Sequence, residues 1–345
     1  GVCKRRPAFL DVGVDDQLRL WRQAGRKLVV EQWDEFQALI AEAERLVVTG
    51  RQEEAIVATQ IAAHHAVTWH CGVYASPALE RLIRQLGLAA LASSGASTRP
   101  PDRPLDRLRV LHVASEIRAI GGHARMLWRW IGRDQGNVHS VALTRQTMRT
   151  PEALALAVAA TGGAVSWINR RPGGAVAWAR TLQRAMEGAD LVFLHVNNYD
   201  ILPFLALAGM RNPPPVALLN HCDHLFWLGA DFVDAVVNTR RSGHALCADR
   251  RGVAPERNLL LPLCLEGVQR QGGRAEARRA LGLPEDAAMI LTVARAPKFR
   301  ALGKSSFADS LTPLLQANPR ARLVAVGPGG TEDWRVALKA APGQI

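Results

Sequence analysis

The run Asn220-His221-Cys222-Asp223-His224 sets three titratable side chains directly after the apolar stretch Val216 to Leu219, and the aromatic pair Phe226-Trp227 follows within two residues. His221, Asp223 and His224 are residue types that take up or release a proton, and a neighbouring aromatic surface suits a sugar or a base, so this run is the first candidate for catalysis. Ligands so close in sequence rarely surround one zinc ion without a distant partner, and no metal is expected. A second candidate is Gly121-Gly122. Here a β-rich run (Leu108, Val110, Leu111, Val113) passes through a loop into the helical spacing of Met126, Leu127, Trp130 and Ile131. The free N–H groups of a first helical turn attract anions, and glycines leave room for a phosphate; the same pair also reads as a plain turn. His195, followed by Asn197 and Asn198, is either a strand cap or a ligand contact. Arg295, Lys298 and Lys304 are either exposed charge or phosphate-holding cations.

The elements that must position these residues follow from periodicity. After a Ser/Gly/Pro-rich stretch at 92–106, short β-prone runs (Val138 to Leu143, Ala164 to Ile168, Leu191 to Val196, Val216 to Asn220, Ala235 to Asn238) alternate with helical segments. Alternation of that kind predicts a parallel sheet covered on both faces, with ligands gathered at the carboxyl ends of the strands. The four candidate places all fall at such ends. A second, shorter alternation begins after Pro262, so residues 107–262 and 263–345 are expected to be two doubly wound domains. No G-x-G-x-x-G occurs in the first strand-to-helix turn, which argues against a dehydrogenase.

Residues 1–16 carry little pattern, and the first residue is not methionine, which suggests a processed or excerpted start. From Gln17 to residue 91 the periodicity is helical: Phe36, Leu39, Ile40 and Ala43 lie on one face and Ala55, Ile56, Ala62 and Ala66 on another, with Thr49-Gly50 between them. This reads as a helical hairpin, and Ser76-Pro77 starts a third helix that ends near Gly87. The expected arrangement is a separate helical module at 17–91, able to bind protein, joined by a flexible linker at 92–106. His64, His65, His70 and Cys71 do not have metal-site spacing.

With 345 residues, 48% hydrophobic and 21% charged, the chain has room for several domains and a sizeable core. No run is long enough to span a bilayer, no signal peptide precedes the first domain, and a cytoplasmic location is expected. The five cysteines are scattered with no C-x-x-C pair, and read as free, mostly buried thiols. The net charge of +12 comes almost wholly from arginines spread along the chain without interleaved aromatics, a pattern of solvated surface and not of nucleic-acid binding. A basic surface would still favour anionic partners such as a nucleotide sugar or the inner membrane leaflet.

The order of these features resembles a known family. A strand, loop, GG and helix are followed by strands ending in His and in N-H-x-D-H, then DAVVNTRRSGHALCADRRGVAPERNLLLP, then LGLPEDAAMILTVAR…GK…ANPRARLVAVGPGG. From about Leu108 to the C-terminus this is similar to the GT-B glycosyltransferases, in particular the large family that includes phosphatidylinositol mannosyltransferases and sucrose synthases. The resemblance implies two Rossmann-like domains and transfer of a sugar from a nucleoside diphosphate sugar to a hydroxyl of a glycan, lipid-linked or protein acceptor, in glycan or glycoconjugate synthesis and without a cofactor. It implies that Gly121 and Gly122 contact the donor diphosphate, that His221 lies near the reacting sugar, and that Arg295 with Lys304, or Lys298, holds the diphosphate. The family's E-x7-E glutamate pair has no counterpart before Ile345, so the second domain is expected to be incomplete. A sugar-nucleotide 2-epimerase of the same fold and a non-catalytic sugar-nucleotide or protein-binding module are the alternatives.

Overall fold

The computed structural model describes residues 14–92, 106–262, 269, 272–299, 306–327 and 334–345. The stretch expected to be a linker lies almost wholly outside them. Three helices come first, α1 (Val14–Val48), α2 (Gln52–Thr68) and α3 (Pro77–Leu91). Then β1 (Arg109–Ala114), α4 (Gly122–Arg133), β2 (Val138–Leu143), α5 (Glu152–Ala160), β3 (Val165–Trp167), α6 (Ala175–Glu187), β4 (Leu191–His195), α7 (Leu202–Ala208), β5 (Val216–Asn220), β6 (Ala235–Asn238), α8 (Arg241–Arg251) and β7 (Asn258–Leu260) follow. The seven strands form one parallel sheet in the order β3-β2-β1-β4-β5-β6-β7. The order reverses at β1 and β4, which is the switch point of a doubly wound sheet.

Side chains alternate along each strand, so register decides which face each one joins. On one face Leu111, Val113, Ala142, Val192, Leu194, Val216 and Leu218 enter a core with α6, α7 and the three N-terminal helices. On the other, Ala114, Val141 and Leu143 pack under Ala124, Leu127 and Ile131 of α4 and Leu154 and Val158 of α5. Burial of both faces explains why the strands read as continuous apolar runs.

The N-terminal helices do not form a unit of their own. Phe36, Ile40, Leu79, Ile83 and Leu86 belong to the same core as the strands, and the chain divides instead into Gly1–Cys264 and Leu265–Ile345. Buried Glu80 of α3 accepts the backbone N–H groups of Gly229, Ala230 and Asp231 at 2.8, 3.1 and 2.9 Å. Arg84 donates to Asp231 O at 3.0 Å and lies over the Phe232 ring. Periodicity reports that a helix has an apolar face but not what covers that face, hence the difference from the expected separate module. Ser76 does cap α3, accepting from Leu79 N, with Pro77 in the first turn. Gly87 does not end it. A Cβ there would sit 2.5 Å from Ala208 Cβ and 2.6 Å from Leu205 O, so this glycine permits close packing of α3 on α7.

The second unit contains α9 (Arg274–Ala280), β8 (Ala288–Val293), α10 (Phe307–Ala317), β9 (Ala321–Val326) and α11 (Arg335–Ala340), with β8 and β9 parallel. Its core gathers Phe299, Ala308, Leu315, Leu323, Trp334 and Ala337. Ser306 starts α10 with a full capping box to Asp309, the second signal of helix entry that side-chain chemistry alone provides. No helix of the described residues is long and apolar enough to cross a membrane.

Candidate functional site

The carboxyl ends of β1, β2 and β4 open on a cavity of about 590 Å³, whose walls include Gln60 of α2, Arg118, Arg145, Asn197, Tyr199 and Trp178. Beneath it lies the carboxylate of fully buried Asp200, which accepts from Ser115 Oγ at 2.6 Å, Thr144 Oγ1 at 2.5 Å and Leu202 N at 3.2 Å. Ser115 Oγ in turn accepts from Asn197 N at 2.8 Å. The network ties the ends of three strands together. Helix α2 supplies part of the wall, with Gln60 donating to Tyr199 O at 2.5 Å and His64 meeting the Tyr199 ring edge to face.

Gly121 caps α4 with φ of 152°, a conformation that L side chains rarely adopt. Gly122 has no such φ, and a Cβ on it would meet nothing within 4 Å among the described residues. Neither packing nor backbone geometry therefore requires glycine at 122, while its absence of a side chain leaves the first turn of α4 open to an anion. No acidic residue lies in that turn.

Five histidines form one connected cluster that runs from this helix start to Asp134 at the other end of α4. His112 and His139 come from β1 and β2, His195 ends β4, His123 lies in the first turn of α4 and His221 follows β5. His112 Nε2 lies 2.9 Å from His139 Nδ1, and His112 Nδ1 lies 3.0 Å from His195 Nε2. The rings of His123 and His221 stack at 4.1 Å with a 1° interplanar angle, and His123 is 5.6 Å from His195. Burial pushes the His112 imidazolium pKa down to about 3, with His139 adding repulsion. It pushes His195 and His123 well below the ordinary value, their histidine neighbours adding to the effect. His139 is lowered by burial against the pull of Asp134, and His221 by burial against the Leu219 carbonyl. At neutral pH the cluster is a set of uncharged donors and acceptors, not a cationic cradle.

Among the residues singled out from sequence, Gly121, Gly122, His195 and His221 come together here. His195 is buried among rings and does not line the open rim. His221 is half-buried on His123, where sequence alone predicts a solvent-facing ring of ordinary pKa. The buried carboxylate of Asp223 is paired with Arg240 beside the start of α8, and Arg251 donates to the Asp223 carbonyl at 2.8 Å. His224 is exposed, 3.5 Å from that carboxylate. Asn220 belongs to a ladder along the sheet, donating to Asn238 Oδ1, while Asn238 donates to Asn258 Oδ1, at 2.8 and 2.7 Å. Arg295 and Lys298 are exposed around a short turn after β8, and Lys304 lies outside the described residues.

His112 and His139 were not visible as site residues in the sequence, because each sits within a largely apolar strand where a lone histidine reads as a satisfied core residue. The one available signal is the i, i+2 pair Phe193 and His195 on the same face of β4.

No protein-family model matches the chain, and no curated protein does. Among solved structures, Anabaena HepE in complex with UDP-glucose is 12% identical over 69% of this chain and 68% of that chain, with a TM-score of 0.50. The same protein with UDP and glucose gives 12% identity, 69% and 68% coverage and a TM-score of 0.49. A mutant Thermobaculum terrenum O-GlcNAc transferase is 16% identical over 90% of this chain and 59% of that chain, with a TM-score of 0.42. The fold is GT-B-like: a doubly wound unit preceded by helices, then a second, smaller α/β unit.

Proposed function

We propose that this chain is a glycosyltransferase that moves a sugar from a nucleoside diphosphate sugar to a hydroxyl acceptor. The observation that carries the reading is the open first turn of α4, with a glycine at 122 that the packing of the described residues does not require, beside the neutral His123 and His221 rings at the switch-point edge of the sheet. The likeness in fold to a protein solved with UDP-glucose supports it. Backbone N–H groups at Gly121 to His123 would hold a phosphate, and His221 would hydrogen-bond the acceptor or a sugar hydroxyl, taking part of its proton as the bond forms. In the second unit, Arg295 and Lys298 are proposed as phosphate-binding cations, with Lys304 as a third. The reading places the chain with the GT-B enzymes that build glycans or glycoconjugates.

Incubation with UDP-, GDP- and ADP-sugars and mixed glycan, lipid-linked and peptide acceptors, followed by mass spectrometry, tests the reading. It expects a glycosylated acceptor and release of the nucleoside diphosphate. Inversion at C2 of the sugar nucleotide would indicate an epimerase. Tight binding of a sugar nucleotide with no turnover under any pairing would indicate a binding module.

A further inference from the structure

Three of the histidines form an unbroken file across the sheet. His195 Nε2, His112 Nδ1 and Nε2, and His139 Nδ1 are linked at 3.0 and 2.9 Å, and His139 Nε2 lies 3.1 Å from both the carbonyl oxygen and Oδ2 of Asp134. All three rings are buried, and Trp130 and Phe193 pack against His112. The Asp134 carboxylate is held in place by Asn137 Nδ2, whose own amide oxygen accepts from Leu108 N.

The far end fixes the polarity of the file. Both Asp134 oxygens only accept, so His139 Nε2 must carry hydrogen; a neutral imidazole has one N–H, so His139 Nδ1 accepts. His112 Nε2 then donates and its Nδ1 accepts, and His195 Nε2 donates in turn. The file therefore ends in a bare lone pair at His195 Nδ1, an atom that is buried without a hydrogen-bond partner among the described residues and belongs to the ring next to His123.

We propose that Asp134, acting through His139 and His112, fixes His195 as its Nε2–H tautomer and so presets His195 Nδ1 as a hydrogen-bond acceptor on the side of His123 and the candidate site. The Asp134 carboxylate, 33% exposed, is the terminal acceptor of the file; each ring donates from Nε2 and accepts at Nδ1, so no buried imidazolium has to form. His195 is in this sense a positioning residue whose tautomer is set from the other end of α4. The assignment rests on the ring geometry and not on the glycosyl-transfer reading.

The test is nitrogen NMR on the intact chain carrying ¹⁵N-histidine at neutral pH. Expected are Nε2–H tautomers for His112, His139 and His195, and ¹⁵N–¹⁵N couplings across the hydrogen bonds from His112 Nε2 to His139 Nδ1 and from His195 Nε2 to His112 Nδ1. In His139→Phe, which removes the link to Asp134, the His195 ring should lose its single tautomer although it is two links away. Absence of either coupling in the wild-type protein, an Nδ1–H tautomer in any of the three rings, or an unchanged His195 in folded His139→Phe overturns the assignment. If that variant does not fold, the wild-type couplings decide. Failure of every sugar-transfer assay with both couplings present would sink the functional reading and leave the fixed His195 tautomer standing.

Discussion

His221 lies face to face with His123, ring centroids 4.1 Å apart and planes within 1° of parallel, so a residue of the first α4 turn and a residue of the loop after β5 form one surface. That contact joins the helix start suited to phosphate with the ring suited to a hydroxyl. Both rings are held uncharged by burial, which removes the repulsion two stacked cations would suffer.

Substitution of His221 separates chemistry from packing. His221→Phe preserves a flat ring on His123 and should leave stability within about 1 kcal/mol, while lowering kcat for sugar transfer by roughly 100-fold. Single-turnover rates and melting temperatures on the same preparation check this, and near wild-type turnover per folded molecule would end the catalytic role of His221.

At the helix start, Gly122→Ala should fold as the wild type, because its Cβ meets none of the described residues within 4 Å. Binding of UDP measured by calorimetry should nevertheless weaken, by roughly tenfold for the loss of about one phosphate hydrogen bond. Gly121→Ala should cost stability as well, since φ at 121 is 152°. Undiminished UDP affinity in Gly122→Ala would place the phosphate site elsewhere.

Acid should unfold the first unit early. The histidines have folded pKa values below their unfolded value of about 6.5, so the unfolded chain binds more protons, and stability present above that pH is lost as pH falls through the window, which for His112 extends to about 3. Each ring that stays neutral steepens the dependence by up to about 1.4 kcal/mol per pH unit. Urea denaturation at several pH values between 7.5 and 5 should show this slope, and His112→Leu should reduce it by about one proton. A flat profile over that range would contradict the buried neutral cluster.

Two substitutions test the seam between α3 and the sheet. Glu80→Gln replaces a carboxylate that accepts three backbone N–H groups by an amide with one acceptor oxygen, and should cost about 2–3 kcal/mol. Gly87→Ala puts a Cβ into the α7 backbone and should cost about 1–3 kcal/mol. Denaturation curves followed by tryptophan fluorescence measure both. Loss of the helices in a separate transition, with the sheet unaffected, would show that the two parts fold independently after all.

Local chemistry in the sequence was sufficient for much of the fold. Ser76-Pro77 specifies the start of α3 through a hydroxyl cap and a fixed φ, the apolar spacing of Leu127 and Ile131 specifies a buried face of α4, and the run Val216 to Leu219 specifies a strand covered on both sides. These are interactions among residues near in sequence, so the sequence alone determines them. The short strand Asn258–Leu260 was missed because its residues are ordinary until β6 lies beside them.

Tertiary structure decided what each face meets. Nothing near Asp223 in the sequence points to its ion pair with Arg240, and Gly87 reads as a helix stop until α7 is seen against it. His112, His139 and His195 are separated by 27 and 83 residues from one another along the two links of their file, and only the order β2-β1-β4 makes them neighbours. Periodicity says which way a side chain points from its own strand. Which strands lie side by side, and hence which histidines share protons, follows from long-range pairing that no local pattern encodes.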